Sequence, residues 1–385
     1  MRLGASHQSA VGFSGKLARM THIQLAYSLA PQATLGNALA NPICNPLMQL
    51  LEAVRERGSI LAASKALGLS YRHVWGELKR WETLLGDPLL LWERGQAAQL
   101  TDFGARLLYA ERQALARLAP QIEALQTELE RSFALALDPK AQVISMHASH
   151  DEALSLLRGH AAASKLYLDV TFSGSLEALR ALNDGRCRMA GFHVRIQADQ
   201  HSYAAKIYQP LLQPGLHKII GFVQRTQGLM VARGNPHHLS GLHDVAKLGL
   251  RFMNRPAGTG TRVLLDELMA EQRISKTQLS GYKKTEPSHQ AAALAVAQNV
   301  ADCALGIEAA AQAQGLGFVP LVQERYVLVC HKAVLAEPAV QALSKSLRAK
   351  AWINKLSALA GYAPLASGQV LRMTSVLPWW TSFKR

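Results

Sequence analysis

Two sets of residues in this 385-residue chain carry groups suited to recognition rather than to bond-making. The first is the run Ser70-Tyr71-Arg72-His73, with Ser59 upstream and Lys79 and Arg94 downstream. A hydroxyl, a phenol, a guanidinium and an imidazole on the first turn of a helix can meet base edges and phosphates in a DNA major groove. The second set is the hydroxyls Ser149, Ser173, Ser175, Thr259, Thr261 and Ser288, together with Gly258, Arg255, Arg262 and His289. Each hydroxyl stands where a strand-like apolar run gives way to a helical pattern. Helix N-termini offer free N–H groups and partial positive charge, and hydroxyls add donors without a countercharge. That combination suits a small oxyanion. In the corner Gly258-Thr259-Gly260-Thr261-Arg262, two glycines let a backbone approach a ligand closely. Arg255 and Arg262 are placed to pair with its charge, or to bridge to a carboxylate inside the protein. A lone Ser or Thr at a helix start is usually a plain cap; convergence of four such corners is what would wrap a tetrahedral anion.

Catalysis has no comparable signature. No nucleophile–base pair or phosphate loop stands out, and His150, His193 and His289 lack metal-ligand spacing. The four cysteines, Cys44, Cys187, Cys303 and Cys330, include no C-x-x-C pair, so neither a disulfide framework nor a zinc or redox centre is expected. The expectation is no catalytic residue, no metal and no cofactor.

The elements that must position these groups follow from pattern. Helices are expected at Pro46 to Arg57, Ile60 to Leu67 and from the Ser70 cap to Leu85, with Gly68 making the turn between the last two. Ala62, Ala63 and Ala66 would let two helices cross closely, while Val74, Leu78, Trp75 and Leu85 face the core. Leu89 to Trp92, Arg94 to Gln99 and Leu100-Thr101 read as a β-hairpin wing. From Phe103 to Ala136, Leu107, Leu108, Leu115, Leu118, Ile122, Leu125 and Leu129 recur at helical spacing, giving one apolar stripe best buried against a second copy. A twofold dimer would present two recognition helices to a palindromic site. From Gln142 onward, apolar runs (VISMHAS, LYLDVTFSG, MAGFHV, IIGFVQ, GLMVARG, LRFMN, GFVPLV, YVLVC) alternate with helical segments. That pattern argues for an α/β architecture with largely parallel sheets.

The stretch 22–132, marked by GLSYRHVW, resembles the DNA-binding domain of the ModE family of molybdate-responsive regulators; LysR-type proteins share the architecture but usually lack its Ser-Tyr pair and Trp. The wing RGQAAQ departs from the Gly-rich wing of that family. The segment 143–362 is similar to periplasmic-binding-protein-like domains, on the strings ASHDEAL, FSGSLEALRALNDGRCRMAGFHV, QGLMVARGNP, FMNRPAGTGTRVLLDELM, SHQAAALAV and ADCALGIEAAAQAQGLGFVPLVQERYVLV. The resemblance implies molybdate, tungstate or a molybdenum-cofactor-like anion as ligand. It also implies two lobes, 142–232 plus 322–370 and 235–318, hinged near Val231–Asn235 and Pro320–Tyr326.

The expected organisation is a disordered extension at 1–21, a winged helix-turn-helix at 22–102, a dimerisation helix at 103–140, a two-lobed α/β domain at 141–370 and a tail at 371–385. The net charge of +15 divides unevenly, with 15 Lys and Arg against 12 Asp and Glu in residues 1–140 and 27 against 15 thereafter. The excess lies on the second half, where it would concentrate an anionic ligand or DNA phosphates, or form a plain solvated surface. No membrane-spanning or exported segment is apparent, so a cytoplasmic location is expected. The reading is a cytoplasmic, homodimeric or higher-order regulator that binds a palindromic double-stranded operator and answers to a small anionic effector. An oxyanion-storage protein and an enzyme acting on a small anionic metabolite are the alternatives.

Overall fold

Local chain chemistry sets the first three helices. In the computed structural model, which describes residues 45–91, 97–138, 140–197 and 200–380, they span Pro46–Arg57 (α1), Ile60–Leu67 (α2) and Tyr71–Leu85 (α3). Asn45, Ser59 and Ser70 each cap one by accepting a backbone N–H, and Gly68 takes the left-handed φ of 67° at the turn. The expected extension at 1–21 and Arg94 lie outside the described residues. The chain divides into two units, 1–115 and 116–385.

In the first unit Leu51, Val54, Ala63, Val74, Leu78 and Leu89 are fully enclosed. Of the three alanines expected at the crossing only Ala63 is buried. Ala66 is exposed, and Ser64 takes the inner position, its hydroxyl donating to Leu61 O at 2.9 Å. Strand β1 (Leu90–Leu91) pairs antiparallel with β2 (Gln99–Leu100). Thr101 then caps α4 (Asp102–Leu137), accepting from Gly104 N at 3.0 Å. Leu108 of the expected stripe is buried, whereas Leu118 and Leu125 are exposed at 42% and 58%.

The second unit contains one mixed sheet ordered β4-β3-β5-β9-β6-β8-β7. Its strands are β3 (Gln142–Ala148), β4 (Leu166–Phe172), β5 (Met189–Arg195), β6 (His217–Val231), β7 (Phe252–Met253), β8 (Cys303–Ile307) and β9 (Gly317–His331), and two short strands near the C-terminus also pair with β6. Helices α5 (Glu152–Ala162), α6 (Ser175–Asn183), α7 (Tyr203–Tyr208), α8 (Leu242–Lys247), α9 (Gly260–Glu271) and α10 (His289–Ala297) connect them.

Several expectations change here. IIGFVQ and GLMVARG are one strand, β6, and GFVPLV and YVLVC are one strand, β9. These two 15-residue strands pair antiparallel along their length, so the sheet is mixed rather than largely parallel. The first part of β6 and the last part of β9 join β3, β4 and β5; the remainder joins β7 and β8. The passage from one half to the other falls where the β6–β9 register shifts, at Gln227/Gly228. The crossover expected near Val231–Asn235 therefore lies several residues earlier, because β6 does not break where its apolar run is interrupted. Strand β8, buried at every position, had no place in the expected strand set. Met373, Val376, Leu377 and Trp379 are buried in a core cluster with Phe192 and Tyr208, so the chain expected to trail off after 370 is packed at least to Trp379.

Candidate functional site

On α3, Val74 and Leu78 fill the core and leave the N-terminal turn to solvent. Ser70 is occupied as a cap, accepting from His73 N at 3.2 Å, and Ser59 likewise accepts from Ala62 N at 3.0 Å. Tyr71, Arg72 and His73 are exposed on one turn. Trp75, expected in the core, is 42% exposed on the same outward surface. Helical geometry explains it, since Val74 and Leu78 point inward four residues apart and Trp75 is rotated about 100° from Val74. Lys79 makes a 2.8 Å ion pair with Glu82, whose other carboxylate oxygen accepts from Leu89 N at 2.8 Å at the start of the wing. Lys79 therefore braces the scaffold as well as carrying charge.

In the second unit the hydroxyl-rich corners converge. Ser149 Oγ lies 3.3 Å from Ser175 Oγ, and the buried Ser175 hydroxyl accepts from His193 N at 3.4 Å. From the other half, the carbonyl of Gly258 (φ 86°) packs directly on Gly174, so closely that a β-carbon there would overlap it. The Cα of Gly260 faces the His193 ring. Thr261 Oγ1 is 3.5 Å from His289 Nε2. Thus Ser149, Ser175, Gly258, Thr261 and His289 belong to one continuous set of contacts, with Ser173 half-buried next in sequence to Gly174 and its enclosed hydroxyl unpartnered.

Other expected residues are committed elsewhere. Thr259 caps α9 and donates to Pro256 O at 2.9 Å. Ser288 caps α10 and donates to Ala116 O at 2.9 Å. Arg262 bonds Asp266 at 3.3 Å and lies 4.0 Å over the Tyr282 ring, the internal bridge foreseen as its alternative role.

Arg255 differs. It is buried, its Nη2 donates to Pro287 O at 2.8 Å, and its Nε and Nη1 have no partner. Burial, then the like charge of Arg225, push its guanidinium down to about 9, with Glu286 opposing. A guanidinium remains protonated in proteins, so this is an under-compensated buried cation. Burial also holds His193 and His289 well below the ordinary imidazole range, with Arg225 disfavouring both cations and Arg255 that of His289; neither Nδ1 makes a hydrogen bond, and that of His193 lies 3.9 Å from Glu324.

Sequence reasoning missed the ionic network behind this site. Arg225 bonds Asp151 and, at 3.1 and 3.2 Å, Glu324; Gln227 Nε2 donates to the same Glu324 oxygen at 2.6 Å, and Tyr362 OH donates to Asp151 at 2.9 Å. Burial works against the Arg225 cation, but Asp151 and Glu324 outweigh it and raise its pKa. Charged residues inside strands were the available signal, since Arg225 and Glu324 interrupt otherwise apolar runs. A separate concavity of about 580 Å³ lies between α4 and edge strand β4, lined by Ala124, Leu125, Glu128, Arg131 and residues 169–172.

Comparison with known proteins fits both halves of this description. Residues 46–105 match the family described as "Bacterial regulatory helix-turn-helix protein, lysR family", and residues 158–348 match the "PBP superfamily domain". The chain is 31% identical over 203 residues to the uncharacterized protein YvgK of Bacillus subtilis, covering 53% of this chain and 65% of that one. Less than two thirds of that relative's length is therefore represented. It is 24% identical over 206 residues to the molybdenum transport protein ModE of Azotobacter vinelandii, covering 52% of this chain and 67% of that one. The solved structure of CbnR, a LysR family transcriptional regulator, aligns with a TM-score of 0.37 at 17% identity, covering 78% of this chain and 98% of that one. The helix-turn-helix family that matches is thus the lysR one, while the ModE likeness stays at the level of a distant relative. No helix among the described residues is long and apolar enough to cross a membrane.

Proposed function

With residues 46–105 matching the lysR-type helix-turn-helix family and residues 158–348 the PBP superfamily domain, we propose that this chain is a DNA-binding transcription regulator whose second unit senses a small oxyanion. The carrying observation is Arg255, a buried cation with two unpartnered nitrogens, bonded to Pro287 O beside Ser288 and His289. An anion there would supply the missing countercharge and acceptors. Molybdate or tungstate is the reading of the ligand, supported by the ModE relative and by hydroxyl donors that need no formal countercharge of their own. A molybdenum-cofactor-like anion would use the same cation.

On the DNA side, Tyr71, Arg72 and His73 read the groove, Ser59, Ser70 and Lys79 hold the reading helix, and Arg94, between β1 and β2 in the sequence, contacts phosphate. The exposed apolar positions Leu118 and Leu125 on α4 are the surface for a second copy, which would give the twofold symmetry a palindromic operator requires. The cytoplasm is the compartment this role demands.

Calorimetric titration of the full chain with molybdate, tungstate, sulfate and phosphate tests the sensor, and gel shifts on the DNA upstream of its gene, with and without the bound anion, test the regulator. Binding of none of the four anions would overturn the oxyanion assignment. Anion binding without specific DNA binding would favour storage instead.

A further inference from the structure

Helix α4 is fastened to the two halves of the second unit in very different ways. To the half built on β3, β4 and α5 it makes several polar bonds: Glu123 with His150 and with Arg158, each at 2.9 Å, Glu130 with Arg158 at 3.4 Å, and Arg131 with Asp169 at 2.5 Å. The other half meets it through the segment preceding α10. There Arg117 grips the buried carboxylate of Glu286 with two bonds, at 2.6 and 2.9 Å, and Ser288 Oγ donates to Ala116 O at 2.9 Å.

The sequence prepares this second attachment. Pro120 lies inside α4 and has no N–H, so the carbonyl four residues earlier, that of Ala116, receives no helical bond. Ser288 takes the vacated acceptor. The same segment serves the anion site from its other side: Pro287 O accepts from Arg255, and His289 follows at once. Four consecutive residues, 286–289, therefore touch both the candidate anion site and the first two residues of the second unit, 116 and 117.

We infer that the contacts of Glu286 and Ser288 with Arg117 and Ala116 form a latch through which closure of the two halves is transmitted to helix α4. The helix rides on one half and is caught by the other at this turn. Opening at the β6–β9 crossing must break the latch, because a helix cannot stretch to follow both halves. Because α4 continues N-terminally to Asp102, the latch sets whether closure restrains the helix that leads to the DNA-reading unit. This inference rests on the sensor-regulator reading above.

Two variants of the full chain test it. Arg117→Ala with Glu286→Gln removes the ion pair without stranding a buried carboxylate. Pro120→Ala restores the helical donor to Ala116 O and favours the helix, so a folding failure is not expected from it. Amide hydrogen exchange needs no ligand. Releasing the latch should speed exchange about threefold to tenfold at residues 258–261 and 286–289 as well as 116–120, given a charged bond half open to solvent. Faster exchange confined to 116–120 would overturn the latch. The second readout is affinity for a duplex selected from a random pool by the wild-type chain, with and without saturating sodium molybdate. A wild type that selects no DNA defeats the regulator reading, and one whose DNA affinity ignores molybdate defeats the ligand assignment, while the exchange result still decides the latch. Where the wild type does respond, both variants should lose most of the response to molybdate, measured at saturating molybdate so that a change in affinity does not enter; a retained response overturns the latch alone.

Discussion

Gly174 and Gly258 meet backbone to backbone, one from the turn that opens α6 and the other from the turn before α9. The carbonyl of Gly258 occupies the space a side chain on Gly174 would need. The contact draws the hydroxyls around Ser173 and Ser175 against the corner holding Thr261. Gly174 sits at φ −66°, a value open to any residue, so its requirement is space rather than backbone conformation.

Gly174→Ala should therefore leave the fold intact and hold the corners apart. Oxyanion affinity is expected to fall at least tenfold, about 1.4 kcal/mol, with little change in the melting temperature of the free chain. Calorimetric titration beside a thermal melt checks both, and an unchanged affinity would show that the corners need not touch.

Arg255 should reveal itself by a trade between stability and binding. Arg255→Met removes a buried cation with two unpartnered nitrogens, so the free chain should gain about 1–2 kcal/mol, while anion binding disappears. A loss of stability would mean that the bond to Pro287 O outweighs the uncompensated charge.

The network around Arg225 should behave oppositely. Arg225→Met strands the carboxylates of Asp151 and Glu324 and is expected to cost about 3–5 kcal/mol. Neutralising all three positions together should cost much less. Chemical denaturation of the single and triple variants measures the difference, and equal losses would refute the stranded-charge explanation.

Acid should weaken the fold through His193 and His289. Both are buried with pKa values held well below 6.5, so below about pH 6.5 the unfolded chain takes up protons that the folded chain refuses. Stability from these groups is complete above the unfolded value and falls as pH drops, by up to about 1.4 kcal/mol per pH unit for each histidine. Replacing either with Gln should flatten the dependence between pH 5 and 6.5 in urea titrations; an unaltered slope would place it on other groups.

Trp75 supplies an optical report of the proposed DNA-reading surface. Its emission should change on binding a cognate duplex, and Trp75→Phe should abolish that change. Arg72→Ala should weaken DNA binding about tenfold to a hundredfold while leaving anion affinity unaltered. A spectrum indifferent to DNA would move the interface off this face of α3.

The first unit was legible because its signals are local. Asn45, Ser59 and Ser70 mark helix starts, Gly58, Gly68 and Gly86 mark helix ends, and α1 to α3 begin and end where those residues stand. Trp75 was misread because an aromatic on an amphipathic helix looks like core until Val74 and Leu78 are seen to fill it. The sheet was less legible. Arg225 to Gln227 look like a break between two strands, yet β6 runs through them because β9 pairs with each of the three. For the site, residue types pointed to hydroxyl corners and Arg255, but not to which hydroxyls were already engaged. Ser288 is held by Ala116, 172 residues away, and Glu324 by Arg225. Pairings at that separation leave no periodic trace.

The continuity of β6 and β9 bears on how the second unit can be cut. Each strand contributes to both halves, so neither half owns a complete set of hydrogen-bonding neighbours. A protease nick or truncation that discards one half would leave the other with two ragged strand ends bearing bare N–H and C=O groups, an invitation to sticky self-association. Attempts to produce one half alone should yield insoluble material, and any swap of binding specificity between relatives would have to exchange both halves together.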